Sequence, residues 1–481
     1  MDEVRFIAAI GALGGGVHEG SMQEALRERP HFIAADAGTT DAGPFALGSG
    51  KAAFARDAVK CDLAIVLRAA RQAQIPVLIG SVGTAGADIH VDWMMEIVRE
   101  VIREHARRLK VAVIRSEQSK PYLQELFANG RLIPLDPAPE VNAGTIDRAT
   151  RVVGMMGVEP LQDAIRAGVD LVIAGRCSDP ALFAAIPIMR GMPEGLAWHA
   201  GKVAECGTMV CETASKSVIL GYVRRDEAII RPVGAGLRCT PQSVAAHSLY
   251  ESADPYLHKE CSGTLDLSEC RFEQLDEVAV RIAGSRFHPA ERYTVKLEGA
   301  ESVGFQSIIV GGVRDPFIIR QLDAWLAKIK AYIARSVSAV LGDALKPSDY
   351  KIVFHVYGRN AVMGPLEPYP DAIAQEVGIV VEATAPTQAL ATKIAKLCRQ
   401  PLLHAPIAEW KGAITGFACL HNPAEIERGE VYRFSFNHVA VPGTKTEMFR
   451  TEILTLGEGA ECASWQTSPT SFVARTPDRL C

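Results

Sequence analysis

Several stretches of this chain place carboxylates, hydroxyls, a guanidinium or a histidine directly after an apolar run, with glycines beside them. In FIAADAGTTDAG, residues 32–43, the apolar run stops at Asp36, and Thr39, Thr40 and Asp41 follow, while Gly38 and Gly43 leave the backbone free to approach a ligand. Carboxylates at such a position can act as general acid or base. A turn that uses Asp and Gly for backbone reasons is the other reading of the same residues.

A second stretch, GALGGGVHEG (11–20), carries Gly14, Gly15 and Gly16 ahead of His18 and Glu19. Consecutive glycines let amide N–H groups converge on a phosphate, a carboxylate or an enolate oxygen, and a helix starting near Ser21 would add its positive end. The spacing is neither the dinucleotide fingerprint G-x-G-x-x-G nor the Walker pattern, which weakens a redox reading, and a tight turn competes with the anion site.

In GSVGTAGAD (80–88), Ser81 and Thr84 offer hydroxyl donors and the amides from Gly83 to Gly86 a second oxyanion set. Asp88 reads as a helix cap, with His90 in the first turn as either a catalytic or a core histidine. In AGRCSDP (174–180), Arg176 is suited to grip a substrate carboxylate bidentately, with an ion pair to Asp179 or Asp36 as the alternative. Cys177 lacks the His-Asn pattern that would mark a nucleophile. If GLAWHAGKVAECG (195–207) is helical, His199, Lys202, Glu205 and Cys206 fall near one face beside Trp198, where an i,i+3 pair of Lys202 with Glu205 is the simpler account. Arg238 and His247 are lesser candidates.

Elements must hold these groups together. The first 180 residues alternate apolar runs (4–10, 32–35, 77–79, 111–114, 132–135, 171–174) with helical stretches (51–74, 89–109, 160–167), the pattern of a parallel sheet covered on both faces. Further helices are expected at 179–189 and 195–206. From residue 293 the order becomes strand, strand, long helix (316–341), strand, strand, helix (388–399) and a late strand (431–441). The predicted architecture is α/β: an N-terminal Rossmann-like parallel sheet over 1–285 carrying the candidate site, a smaller α+β domain of ferredoxin-like β-α-β units over 286–455, and a loose tail over 456–481. In such sheets ligands sit outside the carboxyl ends of the strands, where these loops cluster.

At 481 residues the chain exceeds the roughly 250–300 residues at which a single core stops growing. With 48% hydrophobic and 22% charged residues it is too apolar for disorder, and a net charge of −5 argues against a nucleic-acid partner. No apolar stretch of about 18 residues and no leader pattern is present, so a cytoplasmic protein without membrane contact is expected. Eleven scattered cysteines without a C-x-x-C pair read as reduced thiols.

The stretches ADAGTTDAGPFALGSGK (35–51), IGSVGTAGAD (79–88), AGRCSDPALFAA (174–185), GLAWHAGKVAECG (195–207), RCTPQSVAAHSLYE (238–251) and YTVKLEGA (293–300) resemble the AtuA-type acyclic terpene utilisation proteins. The resemblance implies a setting in the catabolism of terpenoid or other branched acids and their CoA thioesters. It implies a pathway rather than a reaction, so the reaction is drawn from residue types.

The expectation is a lyase or hydratase acting on an unsaturated or hydroxylated carboxylic acid or its CoA thioester. Asp36, Asp41 or His90 would serve as acid or base, the glycine amides as oxyanion donors and Arg176 as clamp. A metal alternative gathers Asp36, Asp41, Asp88, His90 and Asp179 round Mg²⁺ or Mn²⁺; the sequence otherwise leaves the cofactor open, none included. A non-catalytic alternative is a CoA- or acid-binding partner of a pathway carboxylase. The expected partners are a small-molecule acid or acyl-CoA and further copies of the chain in a symmetric homo-oligomer.

Overall fold

A computed structural model describes residues 2–105, 108–342, 345–457 and 462–465. The chain divides into two compact units, Met1–Glu301 with Phe434–Cys481, and Ser302–Arg433.

The first unit is built on an eleven-stranded mixed sheet. Its centre is five parallel strands in the spatial order Glu3–Ala8, Phe32–Asp36, Val77–Gly80, Leu171–Ala174, Leu109–Arg115. FIAAD, VLIG and LVIA are buried at every position. A parallel strand covered on both faces has no wet side, which is why these segments read as unbroken apolar runs.

Alternate residues feed two cores. Ile7, Ile33, Ile79, Val111 and Ile173 pack under the helices Arg56–Ala73 and Asp88–Glu104. Phe6, Phe32, Leu78, Ile114 and Val172 face the helices Val158–Arg166, Asp179–Met189 and Glu194–Ala204. Strand order and right-handed crossovers explain the division. The first four parallel strands advance in one direction, so their connecting helices share a face, whereas the return from Leu109–Arg115 to Leu171–Ala174 puts the later helices on the other.

The connections therefore diverge between Val77–Gly80 and Leu171–Ala174, a switch point of the kind at which open sheets leave a crevice. The order is not the 3-2-1-4-5-6 of the dinucleotide fold. Antiparallel strands extend both sides: Val218–Arg224, Ala228–Val233, Val280–Ala283 and Arg271–Gln274 beside Glu3–Ala8, and Arg450–Leu456 with Cys462–Trp465 beside Leu109–Arg115. Of the segment 456–481 expected as a tail, Cys462–Trp465 is thus a strand, while 458–461 and 466–481 lie outside the described residues.

The second unit takes the order strand, helix, strand, strand, helix, strand. The elements are residues 305–313, Leu322–Leu341, Lys351–Tyr357, Val377–Ala385, Gln388–His404 and the start of Glu425–Ala440. Its sheet runs 351–357, 377–385, 305–313, 425–433, giving a β-α-β-β-α-β sequence. Val377–Ala385 alternates buried and partly exposed residues, and its inward side packs with Trp325, Ile329 and Ile394 of the helices.

Candidate functional site

Three parallel strands that lie side by side deliver polar groups to one end of the sheet. Phe32–Asp36 ends on Asp36, Val77–Gly80 is followed by Ser81, and Leu171–Ala174 by Arg176 and Asp179. Glycine lets the loops close on one another. A Cβ at Gly38 would lie 2.1 Å from the Thr84 backbone, and one at Gly86, where φ is +64°, 2.1 Å from the Arg176 nitrogen. Ser116 ties the same loops together, its hydroxyl donating to the Gly86 carbonyl at 3.0 Å and accepting the Arg176 N–H at 2.7 Å.

Arg176 is the hub. Its Nε donates to Glu298 at 2.9 Å and its Nη1 to the Ser81 hydroxyl at 3.1 Å, and Asp179 lies 3.6 Å from Nη1. Glu298 also accepts the Thr40 hydroxyl at 2.9 Å and pairs with Lys296 at 3.1 Å. Burial works against the Glu298 charge, yet Arg176 and Lys296 overcome it and hold its pKa at about 2. The guanidinium expected to clamp a substrate carboxylate is therefore already committed to the chain's own carboxylates.

Two carboxyls beside it each keep a buried oxygen without a hydrogen bond. Asp36 is buried; its Oδ2 accepts the Gly38 N–H at 3.2 Å, but its Oδ1 has no hydrogen-bond partner. Asp179 Oδ1 is likewise buried without a hydrogen bond, although the residue as a whole reaches solvent. Burial raises Asp36 well above the carboxylate range and the charge of Asp179 adds to it, with Arg176 pulling the other way. Burial also pushes Asp179 up to about 6 against the pull of Arg176. A pair whose environments separate their proton affinities is the usual basis of acid and base roles.

The chain matches the family described as acyclic terpene utilisation family protein AtuA over residues 24–410. It belongs to that family. No curated protein and no solved structure matches it.

The match takes in Asp36, Ser81, Arg176, Asp179 and Glu298 but not the glycine loop at 11–20. That loop is not an open anion site. Asp62, buried on the helix Arg56–Ala73, accepts the N–H groups of Gly14 at 2.8 Å, Gly16 at 3.0 Å and Val17 at 2.7 Å, and Gly15 donates to Ala12. The converging amides do hold an anion, and it is the chain's own carboxylate. His18 caps the helix Glu19–Leu26, its Nδ1 accepting the Ser21 N–H at 3.1 Å.

Other expected residues of this AtuA-family chain have structural work. His90 is fully buried, its Nδ1 accepts the Ala87 N–H at 3.2 Å, and burial, then Arg151, lower its pKa to about 4. One ring nitrogen is thus taken by the chain, while Nε2 is buried without a hydrogen-bond partner. Thr84 is buried and accepts the Ala53 N–H at 2.8 Å. Cys177 is buried, its Sγ donates to the Ser178 carbonyl at 3.2 Å, and burial drives the thiol well above its ordinary pKa. His199 is buried between the Ser285 hydroxyl at 2.7 Å and the Ser248 hydroxyl at 2.9 Å. Asp88 is engaged by Arg450 and Arg115, and among the described residues it does not gather with Asp36, Asp41, His90 and Asp179 as a set of ligand atoms.

Asp41 is exposed, its N–H donates to Thr39 at 3.1 Å, and its carboxyl meets that of Glu251. Lys202 is buried on Glu205 at 2.6 Å, and its charge reaches Asp179. Sequence reasoning missed Glu298 and Glu260. Glu260 accepts the Ser178 hydroxyl at 2.8 Å and is pushed by burial up to about 8. The available signal was Lys296 and Glu298 two apart in YTVKLEGA, which places both on one side of a strand.

Proposed function

We propose that this AtuA-family chain is an enzyme, a lyase or hydratase that acts on an unsaturated or hydroxylated branched acid as its CoA thioester. The observation that carries the reading is a pair of buried carboxyl oxygens without a hydrogen bond on either side of Ser81 at the strand ends, Asp36 Oδ1 and Asp179 Oδ1, the latter held only by the ion pair with Arg176 at 3.6 Å.

Protonated Asp36 donates to the carbon or oxygen that gains a proton, and ionised Asp179, open to solvent, takes the proton from water or from the substrate carbon. Arg176 keeps Asp179 charged and Ser81 oriented. The thioester is favoured over the free acid because Arg176 is matched by Glu298 and Asp179, leaving a neutral carbonyl better tolerated than a further carboxylate.

The test is to incubate the protein with branched enoyl- and 3-hydroxyacyl-CoA thioesters and with the free acids in deuterated water, following hydration and deuterium uptake. Turnover of a thioester is expected, falling about 10²–10⁴-fold in Asp36→Asn and in Asp179→Asn. Full turnover in Asp36→Asn would sink the assignment. Ligand-induced stabilisation without turnover of any compound would favour a binding protein instead.

A further inference from the structure

Where the buried helix Glu194–Ala204 ends, Glu205 and Cys206 come up against His247 of the helix Pro241–Ser248. One carboxylate oxygen, the Cys206 sulfur and one ring nitrogen of His247 all lie within 4.8 Å of one another. Two of these groups are left incomplete. Glu205 is 3% exposed and its Oε2 has no hydrogen-bond partner; His247 is 7% exposed and its Nε2 has none. A buried polar atom without a partner is costly, and here two residues that each carry one meet at a thiol.

We propose that Glu205, Cys206 and His247 bind a zinc ion. The donor set of imidazole nitrogen, thiolate sulfur and carboxylate oxygen suits a borderline-soft divalent ion, whereas Mg²⁺ and Mn²⁺ prefer oxygen throughout. Zinc bonds of about 2.0–2.3 Å set tetrahedral ligand atoms roughly 3.3–3.8 Å apart, so atoms that already lie within 4.8 Å need close by no more than about 1.5 Å on binding. Thiolate and carboxylate together neutralise the ion, and the thiol proton leaves to solvent as the Zn–S bond forms.

The surroundings fit a ligand cage. Lys202 Nζ holds Glu205 Oε1 at 2.6 Å, which leaves Oε2 as the coordinating oxygen and fixes the carboxylate plane. Tyr250 stacks on the His247 ring at 5.5 Å and orients it. Three protein ligands leave one tetrahedral position open, as in zinc sites that bind water or substrate. This set differs from the carboxylate-rich one expected from the sequence, and it stands independently of the proposed reaction.

The experiment uses the full chain, dialysed against chelator and titrated with Co²⁺ and Zn²⁺. One equivalent of Co²⁺ is expected to bind with sulfur-to-cobalt charge-transfer absorption in the near ultraviolet. Cys206→Ser should abolish that band, and His247→Ala should weaken binding by about 100-fold. Because a variant can fail to fold, a second measurement uses the unaltered chain: Zn²⁺ should slow alkylation of Cys206 by at least about tenfold while leaving the exposed Cys61 unchanged. Absence of one-equivalent binding, a charge-transfer band that survives Cys206→Ser, or equal protection of both cysteines would each overturn the proposal.

Discussion

Burial raises the proton affinity of both Asp36 and Asp179, but to different degrees, and the difference sets what each can do. Asp179 has an ordinary value of 3.8 and is raised to about 6 in the folded chain. Between those values the folded state binds more protons than the unfolded one, so this group makes stability fall as pH rises, with its full cost present above about 6. Asp179→Asn removes that cost. Its melting temperature should exceed that of the unaltered chain at about pH 8 and converge with it near pH 4. The opposite trend would show that Asp179 is stabilised as an anion. Glu298 behaves inversely: with its pKa held at about 2, its contribution is present above its ordinary value of 4.5 and is lost as pH falls toward 2. Glu298→Gln leaves a buried guanidinium short of its main partner and should cost about 3–5 kcal/mol in urea denaturation.

At the scale of elements, the site was legible where chemistry coincided with the end of an apolar run. Asp36, Ser81, Arg176 and Asp179 follow segments buried on both faces, so the change from apolar to polar residues marks the carboxyl end of each strand. What was not legible came from distant chain. Glu298 lies 122 residues beyond Arg176, and nothing local in either segment announces the pair. The glycine loop shows a different limit: its anion-binding geometry could be read, but not that Asp62 fills it. A hint existed, since Asp62 sits among Val59, Leu63 and Val66 on the buried side of its helix, where a carboxylate needs donors. Asp62→Ala should strip the acceptor from three amides and destabilise the chain by more than about 2 kcal/mol, measured by urea denaturation. An unchanged midpoint would mean that solvent satisfies the loop.

On the scale of the whole molecule, the first unit is completed by chain that returns after the second. Arg450–Leu456 pairs along Leu109–Arg115, and Phe436, Met448, Phe449 and Ile453 join the core under the helices Val158–Arg166, Asp179–Met189 and Glu194–Ala204. Composition and length predicted more than one domain, but a sheet that recruits a strand from more than 300 residues away leaves no periodic trace of that pairing. Truncation at residue 410, where the family match stops, should uncover the 109–115 strand and yield aggregated protein; a soluble, cooperatively melting product would contradict this. The proposed reaction requires the first unit to keep a protonated carboxyl at the end of its second parallel strand, ready to donate. Infrared difference spectroscopy of the unaltered chain against Asp36→Asn at neutral pH tests it most directly. A protonated-carboxyl C=O stretching band that vanishes in Asp36→Asn is expected, whereas loss of ionised-carboxylate bands in its place would show that Asp36 is an anion and overturn its role as donor.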